Sequence, residues 1–172
     1  MLRFTFFTLF SVASAACSAA SSVFIVPGEE WGFQFESSPV KSHRGAFGDG
    51  EYQLEILSSG GLVATVFVEP AKGKGATPEE CRFFYWGLSS RNPAIVTESV
   101  KIEVADQFEI VSYTVEAEQG GVVYVQPNVN FYGYRDGKCI DVHISQAFPE
   151  GVAVDYANLE LFRDSLKYFI QK

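Results

Sequence analysis

The chain has 172 residues, of which 47% are hydrophobic, 20% charged and 15% aromatic, and it carries a formal net charge of -8 at pH 7. That length suits one domain with a proper core and hardly two. An acidic chain without a Lys/Arg cluster is repelled by phosphate backbones and anionic headgroups, which excludes nucleic-acid binding.

The opening stretch, "MLRFTFFTLFSVASAAC", has a positive Arg3, an apolar run from Phe4 to Ala13, and small residues at Ala13, Ser14 and Ala15. This is the pattern of a secretory signal over residues 1–16. The run is too short to span a bilayer, which takes about 20 apolar residues, and no other stretch is long enough. An exported protein is expected: periplasmic or lipid-anchored to the envelope, otherwise secreted. Loss of Arg3 with the signal removes one positive charge and takes the net charge from -8 to -9. Ser14 to Cys17 resembles the bacterial lipobox, with Ser14 where an apolar residue is usual. Lipidation of Cys17 and ordinary cleavage after Ala15 or Ala16 both fit. Residues 17–30 then read as a tether or N-terminal extension, and residues 31–172 as a single α+β domain.

Trp31, Phe33 and Phe35 alternate with Gly32, Gln34 and Glu36, the period of a half-buried strand. Tyr52, Leu54 and Ile56 alternate with glutamates and Gln53 in residues 50–59, and Gly60-Gly61 turns that strand into a partner over residues 62–70. Thr77, Pro78 and Glu80 form a capping signal, and Cys81, Phe84, Tyr85 and Leu88 follow at helical spacing, so a helix is predicted over residues 77–90. Residues 99–118 hold one long strand or two segments bent near Asp106. "GVVYVQPNVNFYGY" and "KCIDVHIS" are two more strands. A last helix, capped by Asp155, runs to the C-terminus with Leu159, Phe162, Leu166 and Phe169 on one stripe. The expected fold is α+β: an antiparallel sheet of about six strands with helices packed on it, in the order β-β-β-α-β-β-β-α.

That order, with "WGFQFESSP" as an opening strand running into Pro39 and "GKCIDVHISQ" followed by "DYANLELFRDSLKYF" as last strand and closing helix, resembles the PsbP-like superfamily, in its exported bacterial envelope-protein branch. The resemblance spans residues 31 to 170 in element order. It implies a binding or assembly module without shared catalytic residues, since fold analogy names no ligand.

Asp136-Gly137 reads as a two-residue I′ turn, which sets the register of the last hairpin. Arg135 then faces Lys138, Tyr134 faces Cys139, Tyr132 faces Asp141, Asn130 faces His143, and Asn128 faces Ser145. Asn128, Asn130, Tyr132, Tyr134, Asp141, His143 and Ser145 share one side and form the candidate ligand or partner face; Val129, Phe131, Ile140, Val142 and Ile144 lie on the core side. Asp141 and His143 are a candidate polar pair, because an Asp can orient a His and raise its pKa. The plainer reading has these side chains satisfy one another on a solvated or helix-edged sheet face. Cys139, Asp141 and His143 have the types of metal ligands, but alternate residues of one strand stand roughly 6.5 to 7 Å apart. No metal site and no cofactor is assigned, and His43, the other histidine, lies on a distant loop.

Cys81 and Cys139 remain once Cys17 is set aside. In an oxidising compartment an even pair suggests a disulfide, with two buried unpaired cysteines as the alternative. A bridge requires the helix to cover the polar face near Tyr134. Among the aromatics of "CRFFYWGL", Phe83 and Trp86 fall off the main stripe and are candidates for exposure. No nucleophile elbow, zinc-protease helix, Walker loop or EF-hand loop occurs. The expected function is a non-catalytic binding or assembly module whose partner is another envelope protein or a small ligand. The alternative is a small-molecule or metal-binding protein, or an enzyme, using Asp141 and His143.

Overall fold

The computed structural model describes residues 19–171; residues 1–16, expected to be a signal, and Cys17 lie outside the described residues. The expected order of six strands and two helices is not the order of this protein. Among the described residues, eleven strands and two helices follow one another as β1 (Ala20–Ile25), β2 (Trp31–Ser37), β3 (Val40–Gly48), β4 (Glu51–Ser58), β5 (Val63–Pro70), α1 (Pro78–Ser89), β6 (Ile95–Ala105), β7 (Phe108–Gln119), β8 (Val122–Arg135), β9 (Lys138–Ser145), β10 (Phe148–Pro149), α2 (Ala157–Ser165) and β11 (Lys167–Ile170). The fold is mostly β, with 58% of the described residues in strands and 14% in helices, and the element order on which the PsbP-like resemblance rested does not hold.

The strands form two antiparallel sheets. The larger has the order β3-β4-β5-β9-β8-β7-β6, with β10 paired to the overhanging start of β8; the smaller is β1-β2-β11. The main core lies between them. Ile140, Val142 and Ile144 of β9 and Phe131 of β8 face Phe33 and Phe35 of β2, with Phe162 of α2 in the same cluster. Phe35 and Phe162 stack with ring centroids 4.2 Å apart. Offset stacking of this kind adds about 0.5–1.5 kcal/mol to the area term.

Three departures from the expected elements have physical causes, and one reading left open, at residues 99–118, is resolved in favour of two segments. Residues 40–48 form an edge strand exposed along nearly its whole length. Lys41, His43 and Arg44 interrupt it, as edge strands require, and leave no apolar alternation to read. The 99–118 segment is two strands, β6 and β7, folded back at Asp106, whose φ of 52° suits a tight turn. Ala20–Ile25, within the stretch read as tether or extension, pairs with β2 along its whole length. The last helix stops at Ser165, whose hydroxyl donates back to Leu161 O at 2.6 Å and accepts the Glu36 N–H at 2.7 Å. Leu166 then turns extended and residues 167–170 pair with β2, so Leu159, Phe162 and Leu166 are buried as one stripe while Phe169 belongs to a strand. Asp155 accepts the Ala157 N–H at 3.0 Å from outside the helix, which takes Tyr156 as its N-cap.

The α1 helix starts as its sequence demands. The Glu80 N–H donates to Thr77 Oγ1 at 3.2 Å, and the Glu80 carboxylate accepts the Ala76 N–H at 2.6 Å. The helix lies on the outer face of the large sheet, across β8, β9 and β7. Among the described residues no helix is long and apolar enough to cross a membrane.

Candidate functional site

Asp136 and Gly137 have φ of 48° and 75°, the two positive values a I′ turn needs. The β8–β9 register is the one that turn imposes, from Arg135 opposite Lys138 to Asn128 opposite Ser145. All seven residues of the polar row therefore share the outer face. Tyr132, Asn128, Asn130 and Ser145 are buried there, while Tyr134, Asp141 and His143 are half-buried.

α1 covers the end of this row near Cys139 and Tyr132. Cys81 in its first turn is bonded to Cys139 at the start of β9, with Cα atoms 5.6 Å apart. A small apolar nest of Ala71, Cys81 and Cys139, flanked by Tyr85 and Tyr134, surrounds the bridge. One turn on, Tyr85 lies parallel to Tyr132, with centroids 6.2 Å apart, and its hydroxyl donates to Glu69 of β5. Trp86 leans on Tyr113 of β7 at 5.0 Å, and Arg82 pairs with Glu109 of β7 at 3.2 Å. Lys74 supplies a second cation, to Glu69.

This seating corrects the expected face of the helix. Cys81, Arg82, Tyr85 and Trp86 point toward the sheet, whereas Phe84 and Leu88, read as part of the buried stripe, are 38% and 56% exposed. Phe83 is 60% exposed, and Trp86, a candidate for exposure, is half-buried. The sheet face below is polar and aromatic, so the helix matches it with Arg82, Tyr85 and Trp86 and turns its apolar side outward.

Asp141 and His143 do not pair with each other. Each takes an asparagine diagonally across the hairpin. Asn130 Nδ2 donates to Asp141 Oδ1 at 2.8 Å, and His143 Nε2 donates to Asn128 Oδ1 at 2.9 Å. The Asn128 amide is oriented by its own donation to Gln126 O at 2.6 Å, and Gln126 Nε2 donates to the same Oδ1 at 3.1 Å. A carbonyl oxygen only accepts, so His143 is held as the Nε2–H tautomer.

Burial sets the acidities. It pushes the Asp141 carboxyl up to about 7, against the Asn130 hydrogen bond and with Glu69 adding repulsion. It pulls the His143 imidazole down to about 4. Tyr113 is pushed up to about 12 by burial and by the Asp141 charge, and Tyr85 and Tyr132 are raised first by burial as well. Two buried polar atoms of this face, Asn130 Oδ1 and the Tyr132 hydroxyl, have no hydrogen-bond partner among the described residues. Such atoms cost about 1–3 kcal/mol each unless something completes them.

Among the described residues no three His, Cys, Asp or Glu side chains are grouped to hold a metal. His43 stands on β3 opposite Ile56, edge-on to Phe24 at 5.6 Å, and takes no part in the polar row. The residues that complete the face come from elsewhere in the chain: Glu69 and Phe67 from β5, Arg82 and Tyr85 from α1, and Glu109 and Tyr113 from β7. Glu69 and Phe67 follow from strand alternation once β5 is known to lie beside β9; Tyr85 is signalled by its place one turn after Cys81.

No protein-family model matches the chain. No curated protein matches it. Among solved structures it is similar to a protein of Bacteroides thetaiotaomicron VPI-5482, at 12% identity and a TM-score of 0.43, over 87% of this chain and 48% of that one. The chain thus spans about half the length of that protein. It is also similar to LpqN of Mycobacterium tuberculosis, involved in cell envelope biogenesis, at 8% identity and a TM-score of 0.44, over 88% of this chain and 84% of that one.

Proposed function

We propose that this protein is an exported, non-catalytic binding module of the envelope or secreted space, and that the outward side of α1 seats a basic protein partner. Residues 1–16 act in this reading as the export signal, and the domain follows them. The single observation that carries it is the orientation of α1. A surface helix ordinarily turns its apolar stripe inward; here Phe83, Phe84 and Leu88 are 60%, 38% and 56% exposed on one side of a helix whose other side is clamped. Clustered exposed aromatics mark interaction surfaces, and aromatic anchors carry most of the energy in such contacts. The Cys81–Cys139 bond and the Arg82–Glu109 pair hold the helix in place before any partner arrives, which lowers the ordering cost of association. The net charge, -8 for the full chain and -9 once Arg3 leaves with the signal, favours a partner of opposite sign. The PsbP-like resemblance carries no part of this reading.

A photo-crosslinking residue at Phe83, compared with one at Phe47 on the exposed edge strand, tests it in the native envelope or secreted fraction. The expected result is a discrete adduct with a basic protein from Phe83, lost on Phe84→Ser with Leu88→Ser and weakened by salt. Equal adducts from both positions, or none from Phe83, refute it. His143→Ala leaves the adduct intact, whereas an enzyme working through His143 would lose its activity.

A further inference from the structure

Among the described residues the large sheet has two free edges, β3 and β6, and they are built differently. β3 carries Lys41, His43 and Arg44 along its middle, the kind of side chain that discourages pairing. β6 is exposed from Lys101 to Ala105. Ile102 and Val104, 51% and 72% exposed, stand on its outer face, opposite Val111 and Glu109 of β7. Val100 continues that row and lines a hollow with Trp86 of α1. Lys101 and Glu103 alternate onto the inner face, where Glu103 pairs with Arg163 of α2. A β-branched row along a free edge is what strand edges ordinarily avoid.

The backbone of this edge is also available. The two-residue turn at Asp106 and Gln107 makes Ala105 and Phe108 the closing hydrogen-bonded pair, and such pairs recur at every second residue. Ala105, Glu103 and Lys101 thus bond to β7, while the N–H and C=O of Ile102 and Val104 point away from the sheet. Before Lys101 the ladder is interrupted. Val96 stands opposite Thr114 and Lys101 opposite Ser112, so residues 97–100 bulge, and Ser99 Oγ takes the Thr114 N–H at 2.8 Å.

A second copy joining this edge antiparallel must set outward-pointing residues against outward-pointing residues, which leaves few registers. Centred on Lys101, the pairing opposes Lys101 to Lys101; centred on Glu103, it opposes Glu103 to Glu103. Centred on Ile102, it places Lys101 of each copy against Glu103 of the other, with Val100 opposite Val104. Lys101 has no ion-pair partner of its own among the described residues. The like charges of this register, Glu98 and Asp106, fall at its two ends, where the bulge and the turn take them out of the ladder. We propose that β6 is a self-complementary edge through which two copies of this chain pair antiparallel, with Ile102 on the two-fold axis. The interface is isologous, and main-chain hydrogen bonds carry it. The axis stands perpendicular to the sheet, so the large sheet runs on from one copy into the other and both α1 helices face the same side. This surface is separate from the Phe83, Phe84 and Leu88 side of α1 and goes beyond the reading placed there.

The test is sedimentation equilibrium of the full folded chain. One strand pair buries less than a standard interface, so a monomer–dimer equilibrium is expected with a Kd between about 1 and 100 µM. Lys101→Glu and Glu103→Lys each set like charges opposite one another at two places, and each is expected to raise Kd about tenfold or more. An equimolar mixture of these two variants restores the dimer, because the mixed pair again opposes unlike charges. Ile102→Pro removes an N–H that β7 does not use and is expected to leave a folded monomer. If Ile102→Pro does not fold, the charge variants and their mixture decide. A monomer up to about 500 µM overturns the proposal and leaves the edge to a strand of another protein. Species larger than a dimer, as β3 meeting β6 head to tail would give, overturn it too. So does a dimer that Lys101→Glu leaves intact, or a mixture that fails to restore it. A dimer lost on Phe84→Ser with Leu88→Ser places the contact on α1 and is equally fatal.

Discussion

Asp141 and His143 stand two residues apart on β9, and burial moves their acidities in opposite senses, which makes a prediction about stability and pH. The folded protein keeps the Asp141 proton up to about pH 7, whereas the ordinary value is 3.8. Between those limits the folded state holds an extra proton, so stability falls as pH rises, by about 1.4 kcal/mol per pH unit. His143 releases its proton near pH 4 in the folded state against an ordinary 6.5. In that window the unfolded state holds the extra proton, so stability rises with pH at the same slope of about 1.4 kcal/mol per unit. From pH 4 to 6.5 the two contributions cancel in the wild type. Asp141→Asn unmasks the histidine slope: relative to wild type, the variant gains about 1.4 kcal/mol, or about 3–6 °C of Tm, for each pH unit upward. His143→Gln unmasks the opposite slope and gains as pH falls. Urea and thermal melts of wild type, both single variants and the double variant across this range provide the assay. Differences from wild type cancel the titration of the rest of the chain, and the double variant should run parallel to wild type. A flat difference between Asp141→Asn and wild type across this range refutes the reasoning.

Three further outcomes follow from the same geometry. Cys81→Ser with Cys139→Ser opens a loop of 58 residues; loop entropy then removes about 4 kcal/mol, read by denaturant unfolding, and hydrogen exchange should show α1 amides losing protection before those of β8. Tyr132→Phe removes a buried hydroxyl without a partner and should stabilise the ligand-free protein by about 1 kcal/mol; a comparable loss in urea melts would mean that the hydroxyl is satisfied. Gly133→Ala places a Cβ 2.3 Å from the Tyr168 hydroxyl and 3.1 Å from the Phe108 ring. The overpacking should cost about 1–3 kcal/mol in a denaturant melt, and Tyr168→Phe in the same chain should restore part of it; no rescue would place the strain elsewhere.

Local chemistry made much of the molecule legible in the chain. Positive φ at Asp136 and Gly137 is a property of two residues, and it sets every pairing of the β8–β9 hairpin. The Thr77, Pro78 and Glu80 signal starts α1 by the same kind of short-range bonding. Where an element's form depends on a distant partner, sequence reading falls short. The strand at residues 40–48 has no buried face to imprint an alternation. Ala20–Ile25 is extended because β2 offers it a ladder, and residues 167–170 leave a helical stripe because the other edge of β2 does the same. Backbone groups of a strand are satisfied only across to another strand, so a short segment's choice between helix and ladder lies with its neighbour. The candidate site divides along the same line. Its row of side chains on β8 and β9 follows from alternation alone, but its electrostatics do not. Glu69 stands near Asp141 because β5 pairs with β9. Whether Asp141 meets water or a helix, and whether Tyr132 loses its hydrogen-bond partner, were decided when α1 settled on the outer face with Arg82 and Tyr85 turned down. Burial is what shifts these acidities and orphans these atoms, and burial is created by packing between segments that the chain order keeps apart.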